Sequence, residues 1–441
     1  MNMKRIILLV LTYLLLLCLT ACQLESTAMR EPNTITTADG AASGKGDTFS
    51  LRITWAEYSG RGEAIQRIIN NYNNAYNHSI TMLGGDEDLQ TIQALLDGNA
   101  PLVYVLPYRY VQLFGMRGDL MDLTQAFELE QAAYYPQIWA LGGIDGVTYG
   151  IPWIGHAMCL LYNTSLLQKA GVDATSINSL DALVDAMAQI QSSTDARGFG
   201  LVGAASNDIS WMVNQFIYGF GGALVSDDGE TVAINSEQSR AALDFYKNVL
   251  SAYAQPTWQT DTGAEVMNLF RKQEIAFEIQ GIWGVTDIQK NGSPFEVGIL
   301  SLADIGLCAE VGPMMLAIPA HMDEALQHQA LALIRYLISP DAQSQILLGE
   351  YSPEHDAYYP FRTPIRHDGS GGNAFFGMPE YVRFIEGFQN PSIDVPTPAW
   401  QIIKDTYYES GLHQVMLGEL SIDDFLRQIE TVGNEILRNN Q

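Results

Sequence analysis

The sequence predicts an α/β fold of doubly wound lobes, and three observations lead to it. Strand-like stretches alternate with stretches of helical periodicity through most of the chain. Several of the strand-like stretches are nearly all apolar, as strands covered on both faces are. At 441 residues, 47% hydrophobic and 17% charged, the chain is too apolar for disorder and long enough for two to three packed domains.

The elements follow in order. Leu51-Arg52-Ile53-Thr54-Trp55 alternates as a strand does, and Ala64, Ile65, Ile68, Ile69, Tyr72 and Tyr76 then recur at helical spacing. Residues 79–83 predict a second strand, Leu89, Ile92, Leu95 and Leu96 a short helix, and residues 101–106 a third strand. A further strand pair is expected at residues 147–152 and 157–162, followed by an amphipathic helix through Leu180, Leu183, Val184, Met187 and Ile190, with Ser179 as its N-cap. Ala242, Phe245, Val249 and Leu250 predict a helix, residues 275–279 and 315–318 strands, and residues 326–338 a helix ending at Ser339-Pro340, which starts the next one. The tail from about Trp400 is helical and closes with Phe425, Leu426, Ile429, Val432, Ile436 and Leu437. There is no internal repeat.

The N-terminus reads as an address. Lys4 and Arg5 precede an apolar run over residues 6–19, interrupted by Thr12 and Tyr13 and shorter than the ~20 residues of a comfortable transmembrane helix. Leu19-Thr20-Ala21-Cys22 resembles the lipobox of bacterial lipoproteins. Residues 1–21 are therefore expected to be a lipoprotein signal peptide, with Cys22 carrying the lipid. The other reading is an uncleaved anchor helix. Residues 22–48 are rich in Ser, Thr, Ala and Gly without apolar periodicity, the composition of a flexible tether. Loss of residues 1–21 removes two bases and no acid, lowering the formal charge from −27 to −29. With 23 Lys+Arg against 50 Asp+Glu, the basic surface that nucleic acid or an anionic membrane face demands is missing. Membrane contact is expected through the lipid alone. Cys159 and Cys308, the remaining thiols, read as buried free cysteines, with a disulfide as the alternative.

Five segments together resemble one family, the extracellular solute-binding proteins of bacterial ABC importers, particularly the carbohydrate-binding group. They are Trp55-Ala56-Glu57-Tyr58-Ser59-Gly60-Arg61-Gly62 running into a helix; the strand at 101–106 with Gly118-Asp119-Leu120; Gly146-Val147-Thr148-Tyr149-Gly150-Ile151-Pro152-Trp153 followed by Leu161-Tyr162-Asn163; Phe270-Arg271-Lys272-Gln273-Glu274-Ile275 with Gly281-Ile282-Trp283; and residues 330–343. Leu102, Gln273 and Val311-Gly312 depart from the family's pattern. The resemblance implies two α/β lobes joined by hinge strands that cross at 153–157, 308–314 and 362–368. It places 49–154 plus 314–362 in the N-terminal lobe and 155–313 plus 363–441 in the C-terminal lobe.

A sugar presents hydroxyls at its rim and CH groups on its faces, so a site for it pairs flat aromatics with short polar groups. Tyr58, Tyr108, Trp153, Trp211, Trp258 and Trp283 fall in loops or at junctions, most of them outside the carboxyl ends of strands, where open α/β sheets bind ligands. Trp283 is the strongest candidate, because Gly281 and Gly284 would let the backbone approach a ligand. His156 on the first crossing could bond a ligand hydroxyl, and Glu57 and Asp208 are candidate acceptors.

Enzyme motifs are missing: there is no H-E-x-x-H, G-x-S-x-G, P-loop or spaced Cys/His cluster, and no metal or cofactor is expected. Asp227-Asp228-Gly229-Glu230 lacks the ligand spacing of a calcium loop and reads as a hairpin turn. The function implied is a monomeric, lipid-anchored binding protein on the outer face of the cytoplasmic membrane, which passes a carbohydrate to permease subunits. A ligand-sensing subunit for a membrane receptor and a glycoside hydrolase are the alternatives.

Overall fold

A computed structural model describes residues 48–85, 89–368 and 381–439. The signal peptide, Cys22 and nearly all of the tether lie outside the described residues. Two sheets carry the fold, built from β1 (Ser50–Ile53), β2 (Thr81–Gly84), β3 (Leu102–Pro107), β4 (Ile151–Ile154), β5 (Cys159–Asn163), β6 (Arg197–Phe199), β7 (Ile275–Gln280), β8 (Val297–Leu300) and β9 (Met314–Ala317). The first sheet runs β2-β1-β3-β9-β4 and the second β8-β5-β7-β6.

Strand-helix-strand units give the parallel pairs, β1 with β2 and β3, and β6 with β7. The strands next to a crossing run antiparallel to their neighbours: β9 lies between β3 and β4, and β5 between β7 and β8. The sheets are thus mixed rather than purely parallel. β4 and β5 follow one another in sequence yet lie in different sheets, because the chain passes from one to the other between them. β3 and β7 are buried along their whole length, which explains the continuous apolar character of β3, whereas β7 carries Glu278 and Gln280 into the same burial.

Local signals fix the helices. Ser59 caps Gly60–Tyr76 by accepting from Gly62 N at 3.1 Å, and the helix turns Ala64, Ile65, Ile68, Ile69 and Tyr72 into the core before Asn77 ends it in the left-handed region. Ser179 caps Leu180–Ser193 through Ala182 N. Ser339 and Pro340 open Pro340–Leu348. The last helix, Ile422–Asn439, buries Phe425, Leu426, Ile429 and Leu437. The 227–230 segment is a turn closed by the Val225–Val232 bridge, with Gly229 at φ 74°. Cys159 and Cys308 are both free thiols, the latter accepting from Asn390 Nδ2 at 3.3 Å.

Three segments cross side by side between the sheets. Thr363 N donates to Gly155 O at 2.8 Å, Met158 N to Glu310 O at 2.9 Å, and Gly312 N to His156 O at 3.0 Å. No helix among the described residues is long and apolar enough to cross a membrane.

Candidate functional site

Residues that follow the carboxyl ends of β1 and β3 in one sheet and of β6 and β7 in the other meet beside the crossing segments and outline a candidate cleft. Trp55 leaves β1 into it, Tyr108 follows β3, Trp211 lies on Asn207–Gly219 beyond β6, and Trp283 opens Ile282–Lys290 beyond β7.

Trp283 is the centre of the arrangement. Its indole N–H donates to Gln280 Oε1 at 2.8 Å, and its ring meets His156 edge-on at 4.9 Å between centroids. The role of the flanking glycines differs from expectation. A Cβ at Gly281 would stand 2.3 Å from the Trp283 ring, and one at Gly284 would press on Leu161 and Gln280. These glycines make room for the indole and for packing on the sheet, not for a ligand against the backbone.

His156 is buried in the hinge. Its Nε2 is 2.9 Å from Glu310 Oε2, so the first and second crossings are joined by a buried His–carboxylate pair, and Gly312 is bare beneath the imidazole, where a Cβ would come within 2.0 Å. Tyr108 is also buried. Its hydroxyl accepts from Asp394 N at 2.9 Å, and burial, with Asp394 and Glu310 nearby, pushes its ionisation well above the usual tyrosine value. Asp394 accepts in turn from Trp400 Nε1 at 2.9 Å and from Lys404 Nζ at 2.5 Å, a fully buried ion pair with the ammonium 6.0 Å from the Trp211 ring. A charge pair taken out of water holds only with such satisfied geometry.

Asp208 lies in the first turn of Asn207–Gly219 and accepts from Gly263 N at 3.0 Å, which draws the start of Gly263–Arg271 against the cleft. With Trp211, Trp283, Gln280 and Met212 it lines a compartment of about 200 Å³. A second, of about 60 Å³, lies among Tyr108, Arg109, His156, Glu310 and Arg362. A larger cavity of about 760 Å³ sits elsewhere, at the amino ends of β6 and β7, lined by Lys169, Asp195, Arg197 and Glu274. No aromatic side chain lines it, so the region at the carboxyl ends is the better candidate site despite its smaller volume.

Four predicted residues stand outside the cleft lining. Trp153 is a core residue, 1% exposed, with its indole N–H on Leu337 O at 3.1 Å, because β4 turns it into the layer beneath its own sheet. Tyr58 is 88% exposed, since the loop after β1 turns it outward before the Ser59 cap. Trp258 lies over Gly203 and lines neither compartment. Glu57 works within its own sheet, accepting from Gly84 N at 2.9 Å.

The sequence profile of the family described as "Bacterial extracellular solute-binding protein" matches residues 67–358. The chain belongs to that family. Among solved structures, this solute-binding protein is similar to an ABC transporter solute-binding protein of Thermotoga lettingae bound with α-D-tagatose, at 21% identity and TM-score 0.74, over 89% of this chain and 100% of that one. It is similar also to the maltose-bound MalE3 of T. maritima, at 18% identity and TM-score 0.73, over 88% and 99%. The fold is therefore the two-lobe type II fold. A Deinococcus radiodurans protein named "Probable ABC transporter-binding protein" is 25% identical over 262 residues, 57% of this chain. The alignment spans 61% of that relative's length.

Sequence reasoning missed four cleft residues of this binding protein. Trp55 lies two residues beyond β1, and that position after the first strand was the available signal. Glu310, Arg362 and Asp394 carry none, since their partners are distant in sequence: His156 for Glu310, Trp55 and Trp283 for Arg362, and Tyr108 for Asp394.

Proposed function

We propose that this chain is the substrate-binding component of an ABC importer, that it closes its lobes on a sugar or polyol in the cleft, and that it hands the ligand to membrane permease subunits without altering it. The observation that carries the reading is the cleft itself, where Trp211 and Trp283 stand beside the Asp208 carboxylate, the flat apolar and short polar groups that a pyranose calls for. The tagatose- and maltose-bound relatives support the ligand class. The lobe division is 49–154 with 314–362 against 155–313 with 363–441, in keeping with sheet membership and the three crossings. Ligand contacts made to both lobes only in the closed arrangement would shift an open-closed equilibrium.

A thermal-shift screen tests the ligand class. Monosaccharides, oligosaccharides or polyols should raise the melting temperature; stabilisation confined to amino acids, polyamines or metal ions would remove the carbohydrate assignment. We place the protein outside the cytoplasmic membrane, held by a lipid on Cys22 and spaced by the tether. Cys22→Ser should move it from the membrane fraction to the soluble one, and continued membrane association would contradict the anchor.

A further inference from the structure

The cleft is divided by a side chain of its own. Arg362 stands on the third crossing, and the next residue, Thr363, is bound to Gly155 by backbone hydrogen bonds of 2.8 and 3.3 Å, so the arginine projects from the hinge rather than from a free loop. Its guanidinium carbon lies 4.9 Å from the ring centroid of Trp55, beyond β1 of the first sheet, and 5.4 Å from that of Trp283, beyond β7 of the second. Phe361 backs the same cluster, edge-on to Trp55 at 5.4 Å and under Arg61 at 5.5 Å. The space between the two indoles is therefore filled by a planar cation.

A second set of contacts closes the same side. Glu350, in the hairpin that packs on Gly60–Tyr76, accepts from Arg61 Nε at 3.2 Å and from Lys290 Nζ at 2.7 Å, and Lys290 ends the helix that Trp283 begins. The start of one lobe's first helix and the end of the other lobe's Trp283 helix thus meet on one carboxylate. The compartment that Arg362 itself lines is about 60 Å³ and the one that Trp283 lines about 200 Å³, below the roughly 300–1,000 Å³ of sites that enclose drug-sized ligands.

From this geometry we infer that Arg362 sets the size of the ligand, so that the cleft takes one sugar ring or a short acyclic polyol and excludes longer oligosaccharides. An oligosaccharide stacks successive rings on successive aromatics, and here the path from Trp283 to Trp55 is blocked by the guanidinium. A single ring instead stacks on Trp211 or Trp283, with hydroxyls toward Asp208 and Gln280. This rests on the sugar-binding function proposed above.

The test is titration calorimetry of the full chain with D-glucose, D-xylose, D-mannitol, maltotriose and xylotriose, repeated on Arg362→Ala. In the wild type a monosaccharide or the polyol should bind at least about tenfold more tightly than either trisaccharide, and Arg362→Ala should move the trisaccharide-to-monosaccharide affinity ratio at least about tenfold toward the trisaccharide. A wild type that prefers a trisaccharide would overturn the size limit and leave the sugar-binding function standing. A folded Arg362→Ala with an unchanged ratio would overturn the role of Arg362. If no sugar or polyol binds, the size limit and the proposed function fall together. The wild-type comparison decides the size limit even if Arg362→Ala does not fold.

Discussion

Glu278 is the residue whose chemistry is most at odds with its place. It sits in the middle of β7, wholly buried, with neither carboxylate oxygen hydrogen-bonded, beneath the helix that Trp283 begins. Burial, with Asp287 adding repulsion, pushes its ionisation well above the ordinary glutamate value of 4.5. The folded chain therefore holds a proton that the unfolded chain releases above that value. Stability is present in full below about pH 4.5 and is lost as pH rises toward the folded value, by up to about 1.4 kcal/mol per pH unit. Glu278→Met, apolar and of similar volume, removes the titration and the unsatisfied oxygens. It should raise the melting temperature at pH 8 by more than at pH 5, with a gain of about 1–3 kcal/mol at the higher pH. Equal shifts at the two pH values would show that the Glu278 carboxyl binds its proton no more tightly in the folded chain than in the unfolded one.

At the scale of elements, what could be read from the sequence depended on how local the signal was. The cap at Ser179, the Ser339-Pro340 start and the 227–230 turn each rest on residues within four positions of one another, and each stands where the sequence places it. β6 and β8, three and four residues long, went unread, and most of the other strands lie within about two residues of their expected bounds, because short or apolar runs do not mark where a ladder starts or stops. Trp153 shows the limit: a tryptophan next to a crossing looks the same in sequence whether its strand faces it to the cleft or to the core. The hinge was legible only through its order of motifs. What holds it, the His156–Glu310 pair and the bare Gly312 beneath the imidazole, joins residues more than 150 positions apart. The buried Asp394–Lys404 pair was invisible for another reason, since composition records both charges as ordinary surface residues, and its tie to Tyr108 spans 286 positions.

For the whole molecule, the acidic composition and the apolar fraction have separate uses. The net charge of −27 weighs against attraction to a polyanion, and the lipid proposed on Cys22 would supply membrane contact without basic residues. The apolar fraction is divided between two sheets and the helices over them, and the aromatics left over meet between the carboxyl ends of the strands. The account stands on that meeting point being the ligand site, with Trp283 at its centre. Calorimetric titration of Trp283→Ala with the sugar or polyol that most stabilises the wild type tests this most directly, beside Trp258→Ala, which lies outside both compartments. We predict a loss of at least about 2 kcal/mol, roughly thirtyfold in affinity, for Trp283→Ala at an intact fold, and affinity within about twofold of wild type for Trp258→Ala. Unchanged affinity in a folded Trp283→Ala, or an equal loss in both variants, would contradict it.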